Sequence, residues 1–468
     1  MAARSSQNLI GALAALLAFA IILWAPQVLN DGDTWWHVEA GRAMIADRAV
    51  MQTDTFSYTF RGQPWPSHEW LADVVFGAGY ELAGWGGVLL VTALAAGAGV
   101  WIYAREMGRR ISGLPFICLL LICLSLIAPH LLIRPHILTL PLLAAWVVEL
   151  VRARSEDRAP RWAFAPLMIL WANMHGGFML GLALTGVFAL EALIEAPAER
   201  RAPVALRWGG FGLLSGAMAL VTPHGIDGFL FPFKLTGMAV LGGIDEWKPA
   251  DFSSIEPLQI ALLAGLYILL TRPVRLSIFR ALLLLGLLHT ALTHIRHEQI
   301  LGLVGGLILA APLAKAFGQS EESPAAQPRW IFAAVMAGVL CLGAARLAVP
   351  VAQTDRLGAP FTALAKVPAE IRAQPVLNDY AFGGFLIGQQ VAPYIDSRAE
   401  VYRDAFILQY ARLAHDPAAL AKELRDRKVG WAIVLPGTPL ARVMDAQPGW
   451  RRYYADRWAV VYIPVAAK

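Results

Sequence analysis

Residues 30–44, NDGDTWWHVEAGRAM, place two aspartates, two tryptophans and a histidine directly after an apolar run. That run, 9–29, is interrupted by little more than Pro26 and Gln27. It comes close to the ~20 residues that cross a bilayer as a helix. Polar and ionisable groups so near a membrane helix are costly to keep and point to a site by default. Two questions follow: whether the chain lives in a membrane, and on which side it leaves this cluster.

Composition answers the first. Of 468 residues, 57% are hydrophobic and only 16% charged, and the mean hydropathy is +0.54. A soluble domain carries about a quarter of its residues as charged types, so this chain is too apolar to be covered by water on all sides. The reading is an α-helical polytopic membrane protein. A formal charge of +5 could point to nucleic acid, but the basic residues sit in short clusters between apolar runs, as in cytoplasmic loops. No phosphate-cradling glycine loop or aromatic-basic pattern accompanies them, so no nucleic acid is expected. Cys118, Cys123 and Cys341 all lie inside apolar segments, which argues against a structural disulfide or a CxxC metal site. Residues 1–25 read as a retained first helix with a cytoplasmic N-terminus, because no clear A-x-A cleavage site precedes the acidic stretch.

Charge parity answers the second. Arg105/Arg109/Arg110, Arg152/Arg154/Arg158/Arg161, Arg200/Arg201/Arg207, Arg272/Arg275/Arg280 and the weaker Lys315 with Arg329 mark inside loops. Each interval between neighbouring clusters must then cross an even number of times. Two spans fit in each of 112–151, 162–198, 208–271 and 281–314, two more in the first hundred residues, and one in 330–349. The sum is roughly eleven helices with the C-terminus outside. Residues 70–83 are read as lying near the surface and 85–104 as the span.

The opening stretch now has an address. The outside turns are DGDTWWH, PHLLIRPH (129–136), NMHGG (173–177), the segment 222–252 with TPHGIDGF and GGIDEWKPADF, and THIRHEQ (293–299). They hold seven of the ten histidines, and His68 lies further along the first outside loop. That loop, 31–73, carries seven acids against three arginines. The chemistry is expected to face outward. After Pro350 the character changes: PVLND, APYIDS, WAIVLP and WAVVYIP read as strands between helical patterns. The expected organisation is a transmembrane domain, 1–349, with first periplasmic loop 31–73, and a small periplasmic α/β domain, 350–468. In IDSRAEVYRD, Asp396 and Arg398 read either as a structural turn and ion pair or as residues with a role over the membrane site.

The segments DGDTWWHVEAGR, DTFSYTFRGQPWPSHEWL, RPHILTL, WANMHGGFMLG and LNDYAFGGFLI…IDSRAEVY, with the span count, resemble the GT-C superfamily of polyprenyl-phosphate-sugar-dependent membrane glycosyltransferases. The DE or DD pair of protein mannosyltransferases and aminoarabinose transferases is replaced here by Asp31-Gly32-Asp33. The resemblance implies inverting transfer of a sugar from a polyprenyl-phosphate donor to an acceptor glycan, lipid or protein at the periplasmic face of a bacterial inner membrane.

The residues suit that chemistry. A carboxylate must take the acceptor's proton; Asp33 is the first candidate and Asp31 the second. His37, four residues after Asp33, shares its helix face. Asp33 also reads as the N-cap of a helix starting at Thr34, and capping and catalysis are compatible. Cations must stabilise the departing phosphate, and arginine's fork suits it: Arg134 and Arg296, with His136, are the donor-phosphate candidates, against a reading in which each arginine snorkels to lipid headgroups. His68, Glu69, His175, His224, Asp245, Glu246, His294 and His297 complete the substrate-site candidates. Asp33, His37, His294 and His297 could hold a divalent Mg or Mn ion, although no fixed ligand motif occurs. The competing functions are a transporter or flippase, with the outside turns as its vestibule, and an O-antigen-ligase-like transferase. No internal repeat of the transporter kind is visible.

Overall fold

The computed structural model describes residues 2–319 and 329–465. It resolves into two compact units. One, here the helical unit, comprises 1–25, 89–232 and 241–349; the other, the mixed unit, comprises 26–88, 233–240 and 350–468. The loop after the first helix and the C-terminal segment thus belong to one folding unit although some 260 residues of chain separate them.

The helical unit is built from apolar helices. Six helices of the described residues are long and apolar enough to cross a membrane, including Gln7–Trp24, Gly113–His130, Phe178–Glu195, Ile295–Ala316 and Arg329–Ala348. Trp162–Met174, Pro257–Thr271 and Ile278–Thr293 are shorter apolar helices. Ala2–Trp24 packs on Arg329–Ala348, and Phe178–Glu195 on Arg201–Ala219. Large side chains such as Leu213, Leu270 and Leu340 are exposed, as a surface bathed in hydrocarbon requires. The chain is a multi-pass membrane protein.

Several arginines of the basic clusters are held by buried acids. Glu106 binds Arg110 and Arg152, Glu149 binds Arg158 at 2.6 Å, and Glu191 binds Arg154 at 3.2 Å and Arg280 at 2.8 Å. A carboxylate buried among apolar helices is stable only when paired and hydrogen-bonded, and each of these has a guanidinium.

The mixed unit has a four-stranded sheet in the order β1-β2-β4-β3, from β1 (Val376–Asn378), β2 (Trp431–Val434), β3 (Trp450–Ala455) and β4 (Val460–Pro464). β1 and β2 are parallel; the other pairs are antiparallel. Trp36, Trp65, Leu377, Tyr394, Val434 and Tyr462 share its core. APYIDS, expected as a strand, is irregular instead. The side chain of Asn378 takes its backbone bonds, accepting from the Tyr394 N–H at 2.7 Å and donating to the Ile395 carbonyl at 2.7 Å, so no neighbouring strand is needed. The edge strand WRRYYA (β3), with exposed arginines, was not anticipated.

Helix Trp70–Arg110 breaks at Ala83–Gly84, where Gly84 has φ 56°, a left-handed conformation that favours glycine. Upstream of the break this helix crosses Asp33–Asp47 at close range. A Cβ on Gly41 would stand 1.8 Å from the Asp73 carbonyl, and one on Gly77 2.5 Å from the Gly41 backbone. That glycine-on-glycine crossing brings His37 against Asp73.

Candidate active site

In the mixed unit, helix Asp33–Asp47 starts after Gly32, and Asp31 Oδ1 accepts the Asp33 N–H at 2.8 Å at the helix start. Asp33 stands in the first helical turn. His37 does share its face, but the ring is bound elsewhere. His37 Nδ1 lies 2.6 Å from Asp73 Oδ1, both side chains being buried, and Asp73 Oδ2 accepts the Ser67 hydroxyl at 3.0 Å.

Electrostatics tie the rest of the cluster together. Burial works against charge on His37, yet the Asp73 carboxylate outweighs it, with Glu69 and Asp33 adding to the pull, and the imidazole is held above its ordinary value. Burial pushes the Glu69 carboxyl up to about 8; the His37 charge opposes this, while Asp73, Glu400 and Asp33 reinforce it. His68 lies 3.8 Å from Glu69. Glu400, also raised by burial, accepts from Trp65 Nε1 at 3.0 Å. Asp33, Glu69, Asp73 and Glu400 therefore form one acidic group around a single imidazole. Alongside it, Arg398 is buried on Asp396 (2.7 Å) and Asp54 (2.9 Å), over the Trp65 ring at 4.4 Å. It ties the first loop to the C-terminal segment, which is the structural role.

In the helical unit, Glu246 gathers the two arginines. Its carboxylate lies 2.6 Å from Arg134 Nη1 and 3.1 Å from Arg296 Nη1, and all three side chains are partly exposed. The Arg296 guanidinium stacks on Trp247 at 4.5 Å, and the rings of His294 and His297 stand edge-on to the same indole. His136 donates from Nε2 to the His130 carbonyl at 2.9 Å, and its ring is 6.1 Å from that of His175. His175 Nδ1 accepts the Gly177 N–H at 3.0 Å, which shapes the turn. His297 also borders an apolar cleft of about 640 Å³ between helices Phe178–Glu195 and Ile278–Thr293, walled by residues such as Leu190, Leu282 and Leu287.

The remaining candidates stand apart from this cluster. Asp245 pairs with Lys248 at 2.5 Å on the surface, and the His224 N–H donates to Thr222 Oγ1 at the start of Gly225–Thr236. Among the described residues no three histidine, cysteine or carboxylate side chains converge as a metal site. Asp33 and His37 belong to the mixed unit, His294 and His297 to the helical unit.

Asp73, Glu400 and Trp247 join these sites without a motif that singles them out in the sequence. Asp73 was within reach: it follows Glu69 by four residues in SHEWLAD, one face of a helix. Nothing near Glu400 in its own segment announces its place.

No known protein family matches the chain, and no curated protein resembles it in sequence. Its fold does have solved counterparts. It is similar to the apo oligosaccharyltransferase of Archaeoglobus fulgidus, with a TM-score of 0.50 at 10% identity over 91% of this chain and 69% of that one. It is also similar to ArnT of Cupriavidus metallidurans, in a structure bound to undecaprenyl phosphate, with a TM-score of 0.47 at 13% identity over 98% of each chain. The likeness to the archaeal structure shows a shared fold: apolar helices of membrane length together with a small four-stranded sheet.

Proposed function

We propose that this chain is a glycosyltransferase of a bacterial inner membrane, moving a sugar from a polyprenyl-phosphate donor to an acceptor at the periplasmic face with inversion. The observation that carries the reading is the Arg134–Glu246–Arg296 cluster beside the apolar cleft at His297. It supplies paired guanidinium groups for a phosphate and an apolar surface for a prenyl chain.

In the proposed reaction the acceptor oxygen bonds to the anomeric carbon as the bond from that carbon to the phosphate oxygen breaks. The electron pair leaves with the polyprenyl phosphate, where Arg134 and Arg296 stabilise the growing charge. The acceptor's proton passes to a carboxylate, for which Asp33 is the candidate and Asp31 the reserve. His37, held by Asp73, sets the charge around Asp33. Displacement from the face opposite the leaving group inverts the anomeric centre.

The test uses purified protein in liposomes with a panel of radiolabelled polyprenyl-phosphate hexoses and an envelope acceptor fraction. A transferase moves label from the lipid to the acceptor. Label that crosses the bilayer while staying on its lipid would establish a flippase and overturn the reading.

A further inference from the structure

We propose that the helical unit carries a second phosphate site, lined by Arg154, Arg158, Arg200 and Arg207, whose occupant is the phosphodiester headgroup of an acidic phospholipid. These arginines come from two of the basic clusters that mark the cytoplasmic side, Arg154 and Arg158 standing at the other end of helix Leu140–Ser155 from Arg134. They line one cavity of about 210 Å³, closed further by Asp157 and Trp208. Four guanidinium groups face a single carboxylate in that lining.

The pairing pattern distinguishes this cavity from an ordinary basic loop. Neighbouring acids fix the guanidinium groups in place: Arg154 on Glu191 and Glu195, Arg158 on Glu149 and Glu156, Arg200 on Asp157. Yet Arg158 Nη2 is buried and has no hydrogen-bond partner among the described residues. A buried donor left unmade is expensive, more so on a charged group. Arg207 has no carboxylate at ion-pair distance among the described residues. An anion with several oxygens in a compact tetrahedron answers the Arg207 guanidinium, because arginine's fork matches phosphate geometry.

The surroundings select a lipid over a free anion. Helix Arg201–Ala219, which supplies Arg207 and Trp208, exposes Leu206 (76%) and Leu213 (79%), and Trp162 is exposed nearby in sequence to the cavity's arginines. In a membrane chain such side chains contact acyl chains, and basic pockets between cytoplasmic helix ends bind anionic headgroups.

The experiment takes the delipidated full-length protein in detergent and counts bound lipid by native mass spectrometry during titration with phosphatidylglycerol or phosphatidylcholine. One phosphatidylglycerol binds saturably, and phosphatidylcholine roughly tenfold more weakly. Arg207→Gln, which breaks no ion pair, weakens phosphatidylglycerol roughly tenfold, the effect of one lost charge-assisted hydrogen bond. Arg105→Gln, an exposed arginine outside the cavity, leaves binding unchanged. If Arg207→Gln does not fold, Arg200→Gln is read the same way, since its pair with Asp157 is exposed. Inorganic phosphate serves as competitor: no displacement at millimolar concentration supports the lipid as occupant, while displacement with equal affinity keeps the phosphate site and transfers it to a soluble phosphate. Phosphatidylglycerol binding that survives Arg207→Gln and Arg200→Gln, or falls as much in Arg105→Gln, overturns the proposal.

Discussion

His37 and Asp73 meet at 2.6 Å in the interior of the mixed unit, because Gly41 and Gly77 let their two helices cross backbone to backbone. Both side chains are buried. Asp73→Asn would leave a buried imidazole facing an amide, and removing one partner of a buried pair costs about 3 kcal/mol or more. Gly41→Ala should be at least as damaging, since its methyl would collide with backbone. Thermal unfolding of the purified protein measures both. An Asp73→Asn variant as stable as wild type would mean that the pair contributes nothing to the fold.

The same cluster makes stability depend on pH, with a definite sign. Burial lifts the Glu69 carboxyl from an ordinary 4.5 to about 8. His37 is lifted too, its Asp73 partner outweighing burial. Both groups hold protons more tightly folded than unfolded, so stability falls as pH rises. The Glu69 contribution is complete below about pH 4.5 and is lost on the way to about 8. That of His37 is complete below about pH 6.5 and is lost above its raised value. The melting temperature should therefore drop by several degrees between about pH 5.5 and 8.5, and Glu69→Gln should flatten much of the drop. Parallel curves for the two proteins would remove Glu69 from this role.

How much of this could be read from the sequence differs between the two units. Membrane character, the gathering of histidines in turns between apolar runs and the change after Pro350 come from composition and period, which are local. The sequence marked Arg134, Arg296 and Glu246 separately, and the ion pairs at Glu246 join them. The His37–Asp73 pair was missed because its cause is a helix crossing set by two glycines 36 residues apart. Capping rules address the one residue before a helix, whereas Asp31 reaches forward two positions to the Asp33 N–H. Glu106, Glu149 and Glu191 carry no motif in the sequence; their burial and ion pairs show that they anchor the arginines.

Glu246 holds Arg134 and Arg296 by separate oxygens and so sets their spacing. If they bind the donor phosphate, Arg134→Lys and Arg296→Lys should keep the charge but lose the fork, lowering transfer roughly tenfold or more at each site. Glu246→Gln should also lower it, by letting two like charges drift apart. Wild-type rates in both lysine variants would return these arginines to headgroup anchoring.

Topology is tested by impermeant thiol labelling in intact spheroplasts, in a background with Cys118, Cys123 and Cys341 replaced. Gln63 and His415 are exposed in the mixed unit and Ser155 in a basic loop of the helical unit. Cysteines at 63 and 415 should label and one at 155 should not, following the positive-inside reading. Protection at 415 would place the sheet on the other side of the membrane.

The two aspartates that open the sequence can be told apart because the structure gives them different work. Asp31 Oδ1 takes the Asp33 N–H, so its loss to alanine should cost about 1 kcal/mol, as for a lost cap. Asparagine keeps an acceptor oxygen there, and Asp31→Asn should be nearly silent in stability. Asp33 sits in the first turn, where the helix dipole favours its ionised form, and its charge acts on both His37 and Glu69. As general base its removal should cost ~10²–10⁴ in rate, and the loss should fall on kcat rather than KM. The measurement is sugar transfer by purified Asp33→Asn and Asp31→Asn beside their melting curves. A stable Asp33→Asn with a wild-type rate shows that this carboxylate takes no proton. If Asp31→Asn is then stable and inactive, the base is the residue that also steadies the helix start, and the dipole argument for Asp33 fails with it.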